Sequence, residues 1–498
     1  MKIYNKLLIL VVLIALGSCN DAIDIEQPGR LGAEQAFQTT TDLEQGILGV
    51  YNRFDVTQEI QFNAVFTDEV AIGFDSGGQG LGNGEYGFLL NAGSGAPTAL
   101  WLNQYAALNA ANRLLAAAEL ITPESEEQER YNNVVAEAYA LRAFAHFQLL
   151  SYFSTDYSDD NALAAILLDF VPSVDEVLPR NTNAEFYASI ESDLSQAFNL
   201  LTVDSNPTFV SRDFVTALRA RIAAYKGDYT QAASFSQTLL DKYPLANRAE
   251  YEAVFTDADN TGVIFKLERT INDSYDGQGF TGNGIAGGWA GANFAFVDGT
   301  IDGSPYFEMG RSLFNTLSTD DIRYDVNVNN TSIVSDDYLN AEDFRSEDIL
   351  VIGKYPGNEK PLLNDLKVFR VAEMLLIRAE AYAAAGTFNG SSDSAASLLK
   401  ELRDARFGTD TELPTFSSAT EAFGAILDER RIELAFEGHR WKDLKRLGAL
   451  GNRGILRDNL DCAVNGACSL PATDFRFTMP IPLIELNANN VIEQNPGY

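Results

Sequence analysis

Histidine and cysteine are almost absent from this chain of 498 residues, which has two of the first and three of the second. His146 lies in a helix-forming stretch and His439 among Arg and Trp, neither beside a cysteine, so a His/Cys zinc site or a serine–histidine triad lacks its components. Basic residues are outnumbered, 36 Lys and Arg against 70 Asp and Glu, and the net charge of −34 opposes nucleic acid and strongly anionic glycans. Neutral or weakly charged ligands suit that field better. Pro-, Ser- or charge-rich linkers are also missing from the body of the chain, so a length sufficient for about three average domains reads as one intertwined unit. Beyond the N-terminus no stretch is long and apolar enough to span a bilayer.

What the N-terminus does have is an export signal. Lys2 and Lys6 precede an apolar run from Leu7 to Leu16, far shorter than the ~20 residues of a membrane-spanning helix. Its end, Leu16-Gly17-Ser18-Cys19, resembles a bacterial lipobox, which implies cleavage before Cys19 and a diacylated thiol there. The expected organisation is a signal peptide over 1–18, a flexible tether over 19–28 and a folded unit over 29–498. Lipidation leaves Cys462 and Cys468, which flank Asn465-Gly466 and are expected to pair in an oxidising compartment. So small a loop contributes about 2 kcal/mol by chain entropy, enough to pin a hairpin but not the fold.

Helical signals dominate both flanks. Residues 104–119 are rich in Ala and Leu, and 127–153 place Ala136, Ala140, Ala143 and Phe147 at spacings of three and four. Over 186–200, Ile190, Leu194, Ala197 and Leu201 share a face, with Glu185, Glu191 and Asp193 away from it. Residues 213–226 and 230–242, joined by Gly227-Asp228-Tyr229, predict a helix pair that resembles a tetratricopeptide hairpin; Ala220, Tyr225, Ala232 and Phe235 alternate small and aromatic side chains. A second pair is predicted over 368–385 and 394–406. The expected fold is mainly α: a tetratricopeptide-like helical hairpin scaffold over about 29–245 and 366–498, with an irregular, loop-rich ligand-binding region containing short strands over about 246–365. Function is expected on the loops.

Near the end the chain reads Glu429-Arg430-Arg431-Ile432-Glu433-Leu434-Ala435-Phe436-Glu437-Gly438-His439-Arg440-Trp441. By spacing alone, Glu429, Glu433 and Glu437 share a helix row with Arg430, Arg431 and Arg440 near enough to pair with them. Trp441, after the Gly438 break, is expected to lie across the preceding helix, with Asp443 placed to cap or pair. Densely paired charges at this spacing read as scaffold rather than chemistry. The segment resembles the signature of the SusD/RagB family. Further agreement comes, in order, from Trp101, Tyr105 and Asn112, from Glu137 to Ala143, from Arg370 to Glu380, from Pro480-Ile481-Pro482 and from Gln494-Asn495-Pro496-Gly497-Tyr498. The resemblance spans nearly the whole mature chain. It implies a lipid-anchored protein on the surface of the outer membrane that captures nutrients, mostly glycans, for a TonB-dependent barrel transporter of the SusC type, with no cofactor and no turnover.

Other motifs carry less. Gly82-Asn83-Gly84-Glu85-Tyr86-Gly87 and Gly282-Asn283-Gly284-Ile285-Ala286-Gly287 fit G-x-G-x-x-G but lack the preceding strand and following helix of a dinucleotide site. Asp257, Asp259 and Glu268 match part of an EF-hand loop, yet Val263 to Leu267 reads as a strand where the exiting helix belongs, so they are weak calcium candidates. A glycoside hydrolase needs only two suitably spaced carboxylates and is the alternative enzyme class.

A sugar offers flat C–H faces and a rim of hydroxyls, so its binder needs aromatic platforms flanked by amides and carboxylates on permissive loops. Two stretches have that make-up. One holds Phe74, Asp75, Gln79, Asn83, Tyr86 and Phe88; the other holds Tyr275, Phe280, Asn283, Trp289, Asn293 and Phe294. Trp289 is the leading platform. Trp101 is the second, although its spacing to Tyr105 and Leu108 also fits helix packing. The ligand expected is a neutral oligosaccharide. Peptide or another nutrient is the alternative cargo, and a helical-repeat adaptor the alternative outside the fold.

Overall fold

The computed structural model describes residues 36–73, 79–173, 176–269, 307–356 and 364–498. Its principal helices are α1 (Thr40–Tyr51), α2 (Thr57–Phe66), α3 (Gly95–Ala118), α4 (Gln128–Phe153), α5 (Asn183–Leu200), α6 (Arg212–Lys226), α7 (Tyr229–Leu240), α8 (Arg248–Phe255), α9 (Ile322–Asn327), α10 (Val371–Ala384), α11 (Ala395–Phe407), α12 (Ala419–Glu433) and α13 (Arg440–Leu447). Many begin where a short polar side chain takes up a free N–H of the first turn: Thr39 at α1, Thr182 at α5, Ser211 at α6, Asn247 at α8, Ser394 at α11 and Ser418 at α12. The α6–α7 hairpin turns on Gly227, whose φ of 79° is left-handed and unstrained only for glycine, and Asp228 caps the returning helix.

Small side chains let these helices approach. Ala136, Ala140 and Ala143 of α4 are fully buried, and α4 lies between α3 and α5. Helix α6 packs on α7, α7 on α10, and α11 and α12 cover α10. The helical layer is thus continuous in space although the chain between Leu240 and Val371 interrupts it in sequence. The interruption is closed by one ribbon, in which β2 (Val263–Leu267) runs antiparallel to β4 (Leu366–Arg370) with Leu267 opposite Leu366. The helix expected from Val368 therefore starts only at Val371. Val368 and Phe369 are buried in strand β4, where β-branched and aromatic side chains suit pairing with β2.

A buried ion-pair cluster ties the interruption to the layer. Glu433 is fully buried and held by Arg370 at 2.8 Å, Arg406 at 2.9 Å and Arg323 at 3.5 Å. Glu429 pairs with Arg323 and Arg403, both at 2.7 Å, and Glu437 with Lys354 at 2.7 Å and Arg370 at 2.8 Å. Glu429 and Glu433 share a helix row, but the helix ends at Glu433 and Phe436 turns the chain at φ 60°, so Glu437 stands outside it; none of the three pairs with a neighbouring arginine. Arg430 reaches Asp443 at 2.8 Å, and Arg431 and Arg440 reach Asp68 at 3.5 and 2.8 Å. For Arg430 and Arg431 helix geometry is the reason, since residues one and two places on are turned roughly 100° and 200° from Glu429; Arg440 stands in α13, beyond the Gly438 turn. Burial raises the Glu433 carboxyl, but Arg406 and Arg370 outweigh it and hold this acid well below the ordinary carboxylate range.

Two more expectations change for the same tertiary reason. Asp193, placed off the apolar face of α5, is buried and pairs with Arg142 of α4 at 2.6 Å. Trp441 does not lie on the preceding helix; it stacks on Tyr152 of α4 at 5.5 Å and meets Phe62 of α2 edge-on at 5.5 Å. Removing a buried partner leaves the others uncompensated. Glu433→Ala should lower stability by about 3–5 kcal/mol in denaturant titration. Arg403→Ala, at a side chain 31% exposed, should cost less, about 1 kcal/mol. The reverse order would refute this account of the cluster.

Candidate functional site

Strand β1 (Val70–Ile72) pairs antiparallel with β3 (Phe307–Met309), and Ile72 stands opposite Phe307. Ile72 directly precedes the Gly-rich stretch, and Phe307 comes 13 residues after Phe294, the last contact candidate of the aromatic one. One flank of each stretch therefore leads to this ribbon, while the other flank of the second follows β2. Phe74, Asp75, Tyr275, Phe280, Asn283, Trp289, Asn293 and Phe294 lie outside the described residues, as does Cys19.

The described part of the first loop is held firmly. Asn83 Oδ1 accepts the N–H groups of Glu85 at 2.9 Å and Tyr86 at 3.2 Å, shaping the turn. Tyr86 itself is only 1% exposed, its ring 6.4 Å from that of Phe307, and its hydroxyl donates to the Asp461 carbonyl at 3.1 Å. Phe88 is buried as well. Both rings are braced by Arg457, whose guanidinium lies 4.0 Å from the Tyr86 centroid and 4.4 Å from that of Phe88. The same guanidinium donates to the carbonyls of Val65, Phe66 and Thr67 at 2.8–3.1 Å, satisfying the end of α2. Arg457 stands in no motif, and only its place just before the Cys462 hairpin hinted at a role. Cys462 and Cys468 are disulfide-bonded, with β5 (Ile455–Leu456) pairing with β6 (Ser469–Leu470) alongside.

Several expected contact residues are corrected by burial. Trp101 is 1% exposed, packs at 4.9 Å against both Tyr105 and Phe153, and donates its indole N–H to Glu485 at 3.2 Å. It is a core residue, as its helical spacing allowed. Tyr86 is likewise a support for the loop and not a platform. Of the calcium candidates, Asp257 pairs with Lys367 and accepts the Asp365 N–H at 3.0 Å. Asp259 Oδ1 accepts from the Thr261 hydroxyl at 2.7 Å, and Glu268 is exposed beyond strand β2. Among the described residues no group of three such side chains converges as metal ligands.

Beneath the β1/β3 ribbon sit acids with unusual protonation. Burial pushes the Glu69 carboxyl up to about 7, against the Phe436 N–H that stabilises its anion. Burial likewise pushes Asp461 up to about 7, opposed by the Arg311 N–H at 2.7 Å and reinforced by Asp458 and Asp348. Asp68, next to Glu69, is desolvated too, but Arg431 and Arg440 hold it down at about 2. Arg311 pairs with Asp348 at 2.8 Å and lies 3.9 Å from the Tyr338 ring centroid, so the start of the helix after β3 is fixed.

This is a helical scaffold with short strand ribbons, and structural relatives share the fold. A SusD family model matches residues 263–498, and one described as starch-binding associating with outer membrane matches residues 31–225. SusD-like protein P2 of Formosa agariphila is 27% identical over 536 positions, covering 100% of both chains. A SusD superfamily protein from Bacteroides thetaiotaomicron superposes with a TM-score of 0.74 at 22% identity, covering 92% of this chain and 100% of that one. A laminarin binding SusD-like protein gives 0.68 at 22% identity, covering 93% and 100%. The chain belongs to the SusD family. Among the described residues no helix is long and apolar enough to cross a membrane.

The raised acids make a signed pH prediction. Glu69 and Asp461 keep their protons in the folded chain at pH values where the unfolded chain has released them. The stability they contribute is present below the ordinary carboxylate range and is lost as pH rises to about 7. The double variant Glu69→Gln, Asp461→Asn should therefore show a smaller fall in melting temperature than the parent between about pH 5 and about pH 7. An equal or steeper fall would contradict the assignment.

Proposed function

We propose that this protein captures a neutral oligosaccharide at the cell surface, tethered to the outer membrane through lipid on Cys19, and presents it to a TonB-dependent barrel transporter of the SusC type. The observation that carries the reading is the pairing of Ile72 with Phe307, the ribbon to which one flank of each aromatic- and amide-rich stretch leads. The β1/β3 ribbon beside both stretches is braced by Arg457, Arg311 and the disulfide, so contact residues on either stretch would start from a fixed base. Aromatic rings of the loops would take the C–H faces of the sugar and amides its hydroxyls. Capture of this kind needs no cofactor and breaks no bond.

Support for the ligand class comes from the relatives. One matching family model is described as starch-binding associating with outer membrane, and one structural relative is a laminarin binding protein. The net charge of −34 favours uncharged glycans over anionic ones.

The chain offers a clean optical test. Trp101 and Trp441 are 1% and 0% exposed, so of the three tryptophans only Trp289 is left to answer a surface ligand. Fluorescence and calorimetric titration with neutral and acidic oligosaccharides should show binding of a neutral one with a change in tryptophan emission. Trp289→Ala should weaken that binding by about tenfold with the melting temperature unchanged. Unchanged affinity in the variant would remove Trp289 from the site, and binding of peptides in place of every sugar would overturn the glycan reading.

A further inference from the structure

A second cleft has neither Ile72 nor Phe307 in its lining. It opens between α8, α9 and the irregular strip in which Val328 bridges Ile352, and its volume is about 490 Å³, within the roughly 300–1,000 Å³ of small-ligand sites. The strip meets β3 at its far edge, where Met309 N–H donates to the Leu350 carbonyl at 2.8 Å and Leu350 N–H to Glu308 Oε2 at 3.3 Å. Its wall depends on a close backbone approach at Gly353. A Cβ there would stand 3.0 Å from both the Asn329 nitrogen and the Val326 oxygen.

The lining has two parts. Phe255, Val326 and Val328 supply buried apolar surface, and Tyr324, half-buried, is fixed edge-on to Phe314 at 5.8 Å. Around them stand the Glu252 carboxylate, the Tyr324 hydroxyl and the Asn330 amide, none of which has a hydrogen bond or ion pair with another described residue. Asp325, also at the rim, already pairs with Arg248 at 3.1 Å. Lys354, 4.5 Å from the Phe255 ring centroid, is neutralised by Glu437 at 2.7 Å. A cleft with a free carboxylate and no free cation among the described lining residues disfavours an anionic ligand. Apolar surface ringed by an uncommitted acceptor, an amide and a phenol suits a sugar ring, which has C–H faces and hydroxyl donors.

We propose that this cleft is a subsite for a neutral saccharide, with a lining that shares no residue with the β1/β3 ribbon, so that a long glycan is held at two places on one molecule. The ligand class rests on the glycan-capture reading; the position does not. Two contacts joined by one polymer raise avidity without new chemistry.

Hydrogen exchange of the purified chain, read by mass spectrometry, tests it with oligosaccharides prepared from laminarin, starch and xylan. At least one of them should slow exchange across residues 322–334. Glu252→Gln combined with Asn330→Ala, both at exposed side chains, should abolish that slowing, lower affinity for the same oligosaccharide about tenfold and leave protection elsewhere in place. Tyr324→Phe, which keeps the ring, should have a smaller effect. Protection confined to other segments would overturn the subsite while leaving glycan capture intact. Absence of protection anywhere would overturn both.

Discussion

The carboxylate of Glu433 is the point on which the fold turns. It receives guanidinium groups from β4, from α11 and from α9, elements that precede it by 27 to 110 positions. Arg370 carries the contact onward to Glu437, and Glu437 to Lys354. On the other side of α12, Arg430 meets Asp443, Asp443 meets Arg446 at 2.8 Å, and Arg446 reaches Glu380 of α10. Such charges gain little net stability over a well-packed apolar core, but a shift of any element would leave buried charges uncompensated, so the cluster admits few arrangements of the pieces that meet there.

That selectivity is what a discontinuous scaffold needs. Helices α7 and α10 pack together across an interruption of the chain, and apolar contact alone would tolerate sliding between them. Arg221 of α6 adds a fixed register by pairing with Glu373 of α10 at 2.6 Å. The β2/β4 ribbon then delivers the interrupted segment to the edge of the layer, and the β1/β3 ribbon returns it beside the first loop.

Much of this was legible in the residues. Helices over 127–153 and 213–242 follow from periodicity and from capping side chains, and both are local properties. The cysteine pair follows from its proximity in the chain. Where reading went astray, a distant partner decided. Val368 looked like the first residue of a helix until β2 paired with its strand, and Asp193 looked exposed until Arg142 of α4 met it. Trp101 and Tyr86 had the composition of contact residues, but aromatic rings beside a glycine-rich loop serve equally well to hold the loop down, and composition does not distinguish the two uses.

The sequence by itself determined the helical class, the family, the acidity and the two stretches that carry sugar-like contact residues, because periodicity, motif order and charge are properties of the chain read in one dimension. Tertiary structure decided which charges pair, which aromatics are buried, and that the two loop stretches, far apart in sequence, each lead by one flank to the ribbon at Ile72 and Phe307. It alone produced the cleft at Tyr324 as well. The physical reason is the same in each case: partner choice among buried charges, rings and strand edges depends on which surfaces meet, and helical spacing along one segment contains no record of the segment it will meet.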